Sequence, residues 1–215
     1  MTLALCTTVA AGTLVSLIGE ATGRLPVRAI GKLAASAAFV ALGAHVGLAQ
    51  AGLAGRAVLV ALVLSAIGDL LLLWDDKRVF LAGMIAFLLA HVGYTTAFVA
   101  IGVRPAGVLA GAAAMLLVDV AVWRWASPGA GKLAPALAAY QLVITAMVAA
   151  SFGVALTGPG EGHLALCAGA LLFAMSDVCV ARHRFVTQHF WNRGIGLPLY
   201  YAAQVLLTLA AARAA

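Results

Sequence analysis

The stretch AVLVALVLSAIGDLLLLW, residues 57–74, decides the fold because it carries a single charged residue, Asp69, among 18. A helix that crosses the hydrocarbon core of a bilayer needs about 20 mostly apolar residues. With the three residues that precede it, this stretch reaches that length, so we predict a transmembrane helix over 54–74. That helix then holds a carboxylic acid inside the membrane.

The rest of the chain has a similar composition. Hydrophobic residues make up 65% of its 215 residues and charged residues 9%, against about 45–50% and 25% in soluble domains. Apolar runs broken by Gly, Pro and charge predict an all-α bundle of eight transmembrane helices in a single integral membrane domain, 1–215. The predicted spans are 3–19, 31–49, 54–74, 79–101, 106–126, 133–156, 163–181 and 195–213.

The basic residues are distributed unevenly between the two ends of these spans. The 13 Lys and Arg outnumber the 7 acids, but they lie near span ends, so topology explains them and we expect no nucleic-acid partner. Ten follow the odd-numbered spans: Arg24, Arg28, Lys32, Lys77, Arg78, Arg124, Lys132, Arg182, Arg184 and Arg193. Three lie at the opposite ends: Arg56, Arg104 and Arg213. The positive-inside rule then places the odd-numbered connections in the cytoplasm and both termini outside, in a bacterial inner membrane.

A short motif recurs in the two halves of the chain. Ile67-Gly68-Asp69 lies near the end of span three and Met175-Ser176-Asp177 near the end of span seven, 108 residues later. Spans three and seven run in the same direction, so the motif suggests two parallel four-helix halves. Duplicated membrane proteins carry their sites where the repeats meet.

Asp69 and Asp177 are the leading candidates for chemistry, since an ionisable group inside the bilayer is costly and marks a function by default. Each lies five residues before the expected cytoplasmic end of its span, at Trp74 and Arg182, so both should lie about 7–8 Å inside. Two nearby acids can divide the roles of proton donor and base. The alternative is that each acid merely bonds a neighbouring helix, with Asp69 held by Ser65.

Other polar side chains lie within the spans. They are Lys32 in span two, His91 and Tyr94 in span four, Tyr140 in span six, Ser176 in span seven, and Tyr200, Tyr201 and Gln204 in span eight. Structural alternatives stay open: His91 can be a core residue, the tyrosines can be interfacial anchors, and Lys32 can either extend to the headgroups or meet a lipid phosphate. Asp119 has no polar neighbour one turn away in its own helix. The ligand spacing of a zinc hydrolase is absent, so we predict no metal and no cofactor.

Several of these stretches resemble the YhhN-like membrane proteins, the lysoplasmalogenase family. The resemblance is carried by Ser65-Ala-Ile-Gly-Asp69-Leu-Leu-Leu, Ala90-His91-Val-Gly-Tyr94, Pro135 with Tyr140, Gly169-Ala-Leu-Leu-Phe173-Ala-Met-Ser176-Asp177, and Pro198-Leu-Tyr200-Tyr201-Ala-Ala-Gln204. These motifs reach through most of the chain. Lys32 matches the basic residue at the start of the family's second helix but lacks the proline expected beside it.

The resemblance implies an intramembrane hydrolase that cleaves the vinyl ether bond of lysoplasmalogens into a fatty aldehyde and a glycerophospho-headgroup. Its expected catalytic residues are Asp69, Asp177 and His91. The expected substrate-binding residues are Lys32, Tyr94, Tyr140, Ser176, Tyr200, Tyr201 and Gln204. The expected partners are a lysophospholipid substrate and membrane lipid, and the residues make no prediction of the oligomeric state.

The polar residues suit this chemistry. An acid would protonate the distal vinyl carbon, and a carboxylate would stabilise the oxocarbenium ion or activate the water that captures it. The residues do not assign these two roles between Asp69 and Asp177. The alternatives are a proton-coupled transporter or lipid-binding protein that uses the same acids, and a metal-dependent lipid hydrolase.

Overall fold

The computed structural model describes residues 1–74, 76–158, 160 and 162–214. Over these residues the regular structure is entirely helical, and no strand is present in them. The helices are α1 (Thr2–Thr22), α2 (Leu25–His45), α3 (Gly52–Leu71), α4 (Lys77–Ile101), α5 (Pro105–Ala130), α6 (Ala134–Ala155), α7 (His163–Phe185) and α8 (Phe190–Ala214). A 3-10 turn, Gly131–Leu133, connects α5 to α6. The protein is an all-α integral membrane protein.

Seven helical segments among the described residues are long and apolar enough to cross a membrane, against the eight predicted. The whole difference lies in one segment, Pro105–Ala155, which contains α5, the 3-10 turn and α6 in 51 residues. At 1.5 Å per residue a straight helix of that length would be about 75 Å long, far more than the bilayer core of about 30 Å. The chain instead reverses at Gly131, whose φ is 53°, and α6 runs back along α5.

Several helices are longer than predicted at their basic ends, although α3 ends at Leu71, before its predicted limit of residue 74. α2 begins at Leu25, with a proline in its first turn, where the prediction began at residue 31. α7 continues to Phe185 and α8 begins at Phe190, against predicted limits of 181 and 195. Hydropathy ends a predicted span at the first charges, whereas helical hydrogen bonding continues through charged residues in the interfacial region.

Close packing of consecutive helices depends on small residues. A Cβ added at Gly12 of α1 would lie 2.7 Å from the carbonyl oxygen of Gly31 in α2. A Cβ added at Gly68 of α3 would lie 2.6 Å from the ring of Phe87 in α4. Without a strong hydrophobic drive between helices in lipid, such close approaches supply the packing energy. They hold the α2, α3 and α4 faces that carry the candidate site.

Candidate active site

Asp69 lies in a pocket of hydrogen-bond donors. Its Oδ2 accepts from Ser36 Oγ at 2.7 Å, Tyr200 OH at 2.8 Å and Tyr201 OH at 3.3 Å. Its Oδ1 lies 3.2 Å from Lys32 Nζ. Every one of these neighbours can donate, and the carboxylate accepts from all of them. Asp69 is therefore arranged as a fixed anion, paired with one cation and held by three hydroxyls from α2 and α8.

Lys32 is buried, with only 3% of its surface exposed. Its ammonium donates to Asp69 Oδ1 and, at 3.4 Å, to the Asp69 backbone carbonyl. The alternative that Lys32 extends to the headgroups is wrong, because the group points into the bundle. The Lys32 ammonium already has a carboxylate partner in Asp69. Its phosphate-binding role stays a prediction.

Asp177 has a different environment. His91 Nε2 lies 3.0 Å from its Oδ2, and Tyr140 OH donates to its Oδ1 at 3.4 Å. His91 Nδ1 lies 2.6 Å from the Phe87 carbonyl oxygen, which accepts only, so Nδ1 carries a proton and Nε2 of the neutral ring is the acceptor. One further proton can therefore lie on either Nε2 or Oδ2. Although close, these two atoms are poorly aligned for a hydrogen bond with each other, and both are buried.

The two aspartates are held in matching ways by the two halves of the chain. Lys32 and Asp69 are 37 residues apart, as are Tyr140 and Asp177. Each acid also takes a partner from the other half, because His91 of α4 reaches Asp177 and Tyr200 of α8 reaches Asp69. These paired contacts support the two parallel halves expected from the sequence.

A single cavity joins the two acids. It measures about 1430 Å³ including its open mouth. Six predicted site residues line it: Lys32, Asp69, Tyr140, Ser176, Asp177 and Tyr200. Most of its remaining wall is aliphatic or aromatic, so it suits an amphiphile.

Four other predicted residues lie behind this wall. Tyr94 donates to Gln204 Oε1, and both side chains are fully buried. Tyr201 contacts Asp69, and His91 contacts Asp177, without lining the cavity. Tyr94, Tyr201 and Gln204 do not line the cavity, and the substrate contact expected of them from the sequence stays a prediction.

The mouth of the cavity is basic and aromatic. Its lining includes Trp74, His183, Arg184, Gln188, Asn192 and Arg193. Arg193 donates to Glu20 at 3.0 Å and to His183 Nε2 at 3.2 Å, and the Arg184 guanidinium lies 4.1 Å from the centre of the Phe80 ring. These groups come from the helix ends that carry the excess of Lys and Arg. An anionic headgroup is well matched to this end of the cavity.

Sequence reasoning left three functional contacts unassigned. Ser36 is the closest partner of Asp69, and its position one turn after Lys32 was the available signal. The Phe87 carbonyl orients His91 from one turn earlier. Asp119 accepts from Thr145 at 2.6 Å and Gln141 at 3.3 Å, partners on another helix that spacing within α5 cannot reveal.

The described residues contain no group of three or more His, Cys, Asp or Glu side chains placed to hold a metal ion. His91 and Asp177 form a pair, while Asp69 is occupied by Lys32 and hydroxyl donors. The absence of a metal and of a cofactor stays a prediction.

Comparison with known proteins gives a consistent set of relatives. Lysoplasmalogenase TMEM86A from Bos taurus is 34% identical over 158 residues, covering 72% of this chain and 64% of that protein. Lysoplasmalogenase TMEM86B from Homo sapiens is 36% identical over 157 residues, covering 71% and 62%. Lysoplasmalogenase from Mycobacterium tuberculosis is 31% identical over 159 residues, covering 69% and 57%.

The chain thus spans less than two thirds of the length of these relatives. No solved structure matches it. The profile of the YhhN family matches residues 27–211, a range that begins before Lys32 and ends after Gln204, and so includes both aspartates and every side chain that holds them. The chain belongs to the YhhN family.

Proposed function

We propose that this protein hydrolyses the vinyl ether bond of lysoplasmalogen-type lysophospholipids, releasing a fatty aldehyde and a glycerophospho-headgroup. The curated relatives are named lysoplasmalogenases, which favours this substrate class. The observation that carries the proposal is the unequal setting of the two acids on one cavity wall. Asp69 accepts from Lys32 and three hydroxyls, whereas Asp177 lies 3.0 Å from His91 Nε2, and we assign the transferred proton to this second pair.

The proton is delivered from the His91–Asp177 pair to the distal vinyl carbon. This step forms a C–H bond and leaves an oxocarbenium ion at the carbon bound to the ether oxygen. The Asp69 carboxylate stabilises that positive charge, and Tyr200, which donates to Asp69 at 2.8 Å, keeps the carboxylate in place. Charge stabilisation by preorganised groups is commonly the largest contribution to catalysis.

Water then completes the reaction. It adds to the oxocarbenium carbon and gives a proton back to the His91–Asp177 pair, which acts first as acid and then as base. The resulting hemiacetal collapses to the aldehyde and the free hydroxyl of the glycerol. One water is consumed and the proton is restored, so the cycle needs no other reactant.

The basic mouth of the cavity binds the headgroup. Arg184 and Arg193 line it, and guanidinium groups are well suited to a phosphate because they present two parallel donors. We assign the phosphate to these two residues, with Arg193 held in place by Glu20 and Lys32 paired with Asp69.

The orientation follows from the same basic residues. With α5 and α6 counted as two passes, all eight helices cross the membrane and the basic ends face the cytoplasm of a bacterial cell. The cavity then opens toward the cytoplasmic leaflet, and both termini lie outside.

The test is release of aldehyde from a 1-alkenyl lysophospholipid by the purified protein in detergent. The Asp177→Asn variant should lose turnover by about 100-fold or more, because general acid catalysis contributes about 10²–10⁴ in rate. Asp69→Asn should lose as much, but it leaves Lys32 buried without its anion. The double variant Lys32→Met/Asp69→Asn therefore provides a folded protein in which to repeat the measurement.

The matched control is Asp76→Asn. Asp76 is exposed and caps α4 through the backbone amides of Arg78 and Val79, and asparagine caps equally well, so turnover should be unchanged. Near-normal turnover in Asp177→Asn would refute the paired-acid mechanism. Binding of the lipid by the wild-type protein without any release of aldehyde would instead favour a lipid-binding or transport function.

A further inference from the structure

The cavity extends past the two aspartates only on the side formed by α5, α6 and α7. Its lining there includes Met115, Ile144 and Ala174, each about one helical turn further from the basic end than Asp119, Tyr140 and Asp177. Toward α4 and α8, edge-to-face aromatic rings close it. Phe173 packs against Phe87 and Tyr200 with centroid separations of 6.3 and 5.3 Å.

α5 and α7 are in close contact near the basic end. A Cβ added at Gly129 of α5 would overlap the backbone of Phe185 in α7. Beside this contact, Val122, Ala126 and Leu137 form a small core against which Val178 and Phe185 pack. This contact between α5 and α7, here called the bridge, leaves no gap between the two helices near the basic end.

Beyond the bridge the cavity reaches the outer surface of the bundle. Val118 lines the cavity, yet 40% of its side chain is exposed. Its neighbour Leu117 is 76% exposed and does not line the cavity, so this face of α5 is directed toward lipid. Val118 therefore belongs both to the cavity wall and to the lipid-facing surface.

The opening beside Val118 is a gap between α5 and α7. Its two edges are held by different helices. Asp119, next to Val118, ties α5 to α6 through Thr145 and Gln141. Gly111 of α5 also approaches the Ala149 backbone of α6 closely. On the other edge, α7 packs on α8, where a Cβ added at Gly169 would lie 2.8 Å from Leu207. The gap is thus a boundary between two packed helix pairs.

We propose that this gap is a lateral opening through which the hydrocarbon chain of a single-chain lipid remains in the bilayer while its glycerol and headgroup occupy the cavity. The inference rests on the proposed function and adds a binding subsite and an entry route to it. A chain that stays in lipid never has to be transferred through water, a step that becomes more unfavourable with every methylene. The headgroup, within the same cavity, reaches the basic mouth at the level of the lipid headgroups.

The experiment narrows the opening with Val118→Trp and compares a long-chain 1-alkenyl lysophospholipid with a short-chain one that dissolves as a monomer. Val118→Trp should lower kcat/KM for the long-chain substrate by about tenfold or more and leave the short-chain value within about twofold, since the short chain can enter by the mouth. Leu117→Trp, the same change one residue away on the lipid-facing surface, should leave both values within about twofold.

Binding of the corresponding saturated 1-alkyl ethers, which lack the vinyl bond, is measured in parallel and does not depend on catalysis. Val118→Trp should weaken binding of the long ether about tenfold and spare the short one. Equal effects on both chain lengths, no effect on either, or the same pattern in Leu117→Trp would each overturn the lateral opening. Selective loss of long-ether binding in a protein that releases no aldehyde would support the opening and refute the proposed hydrolysis.

Discussion

At the residue scale, the two aspartates are surrounded by different side chains. Asp69 has 2% of its surface exposed and accepts from an ammonium and three hydroxyls. Asp177 meets an imidazole whose other nitrogen is fixed by a carbonyl. Pairs of acids with such unequal environments commonly divide the roles of charge stabiliser and proton donor. The lysine is therefore as informative about function as either acid.

Lys32→Met tests whether Lys32 stabilises the protein by neutralising the charge of Asp69. Removing one partner of a buried ion pair leaves an uncompensated charge and costs about 3–5 kcal/mol. Lys32→Met should therefore destabilise the protein by about that amount in denaturant unfolding in detergent, and Lys32→Met/Asp69→Asn should recover most of the loss.

The control for this pair is Lys77→Met at the exposed start of α4, which should change the free energy of unfolding by less than about 0.5 kcal/mol. A double variant no more stable than Lys32→Met would show that Lys32 contributes through its packing and not through its charge.

The sequence predicted that Asp69 and Asp177 lie within helices, because polar groups inside apolar runs are rare, and their catalytic roles stay a prediction. It did not predict which polar side chains pair. Lys32 and Asp69 meet across 37 residues, and whether the ammonium turns inward depends on how α2 is rotated against α3. The partners of Asp119 were equally unpredictable from the sequence, because Gln141 and Thr145 lie on another helix, α6.

At the element scale, the α1–α2 pair depends on the absence of side chains where the helices meet. A Cβ at Gly12 would lie 2.7 Å from the Gly31 carbonyl and 2.8 Å from the Ala35 amide nitrogen. Both are backbone atoms that cannot move aside without displacing α2. The pair matters for the site because α2 carries Lys32 and Ser36.

Gly12→Leu should separate these helices and destabilise the protein by about 1–3 kcal/mol, the usual cost of overpacking. Thermal unfolding in detergent measures the effect. Ala11→Leu, one residue away on the exposed face of α1, is the matched control and should leave the midpoint nearly unchanged. Equal stability of the two variants would contradict the close approach of α1 and α2.

Helix boundaries were the least predictable feature at this scale. Charged residues were taken as the ends of spans, but α2 includes Arg28 and α7 includes Arg182 and Arg184. α7 is therefore longer than predicted and Asp177 lies eight residues from its end at Phe185, whereas α3 ends early, at Leu71, two residues after Asp69. The equal distance of the two acids from their helix ends, expected from the sequence, is therefore wrong.

At the scale of the whole molecule, each half of the chain supplies a side chain that contacts the aspartate of the other half. α4 of the first half supplies His91 to Asp177, and α8 of the second half supplies Tyr200 to Asp69. Neither half could form the site alone, because each acid would lose a partner. If the two halves are parallel, as predicted, these contacts give a physical reason for both to remain in one chain.

That arrangement requires an even number of membrane crossings, which distinguishes eight passes from seven. If α5 and α6 each cross, with the reversal at Gly131, the two termini lie on the same side, and the excess of basic residues places them outside the cytoplasm. Reporter domains that are active only outside the cytoplasm, fused in turn to the N- and C-termini, should both be active. The same reporter inserted at Gly131 should be inactive, since the proposed orientation places that turn in the cytoplasm. Activity at one terminus alone would mean that Pro105–Ala155 crosses once, a result incompatible with two parallel halves.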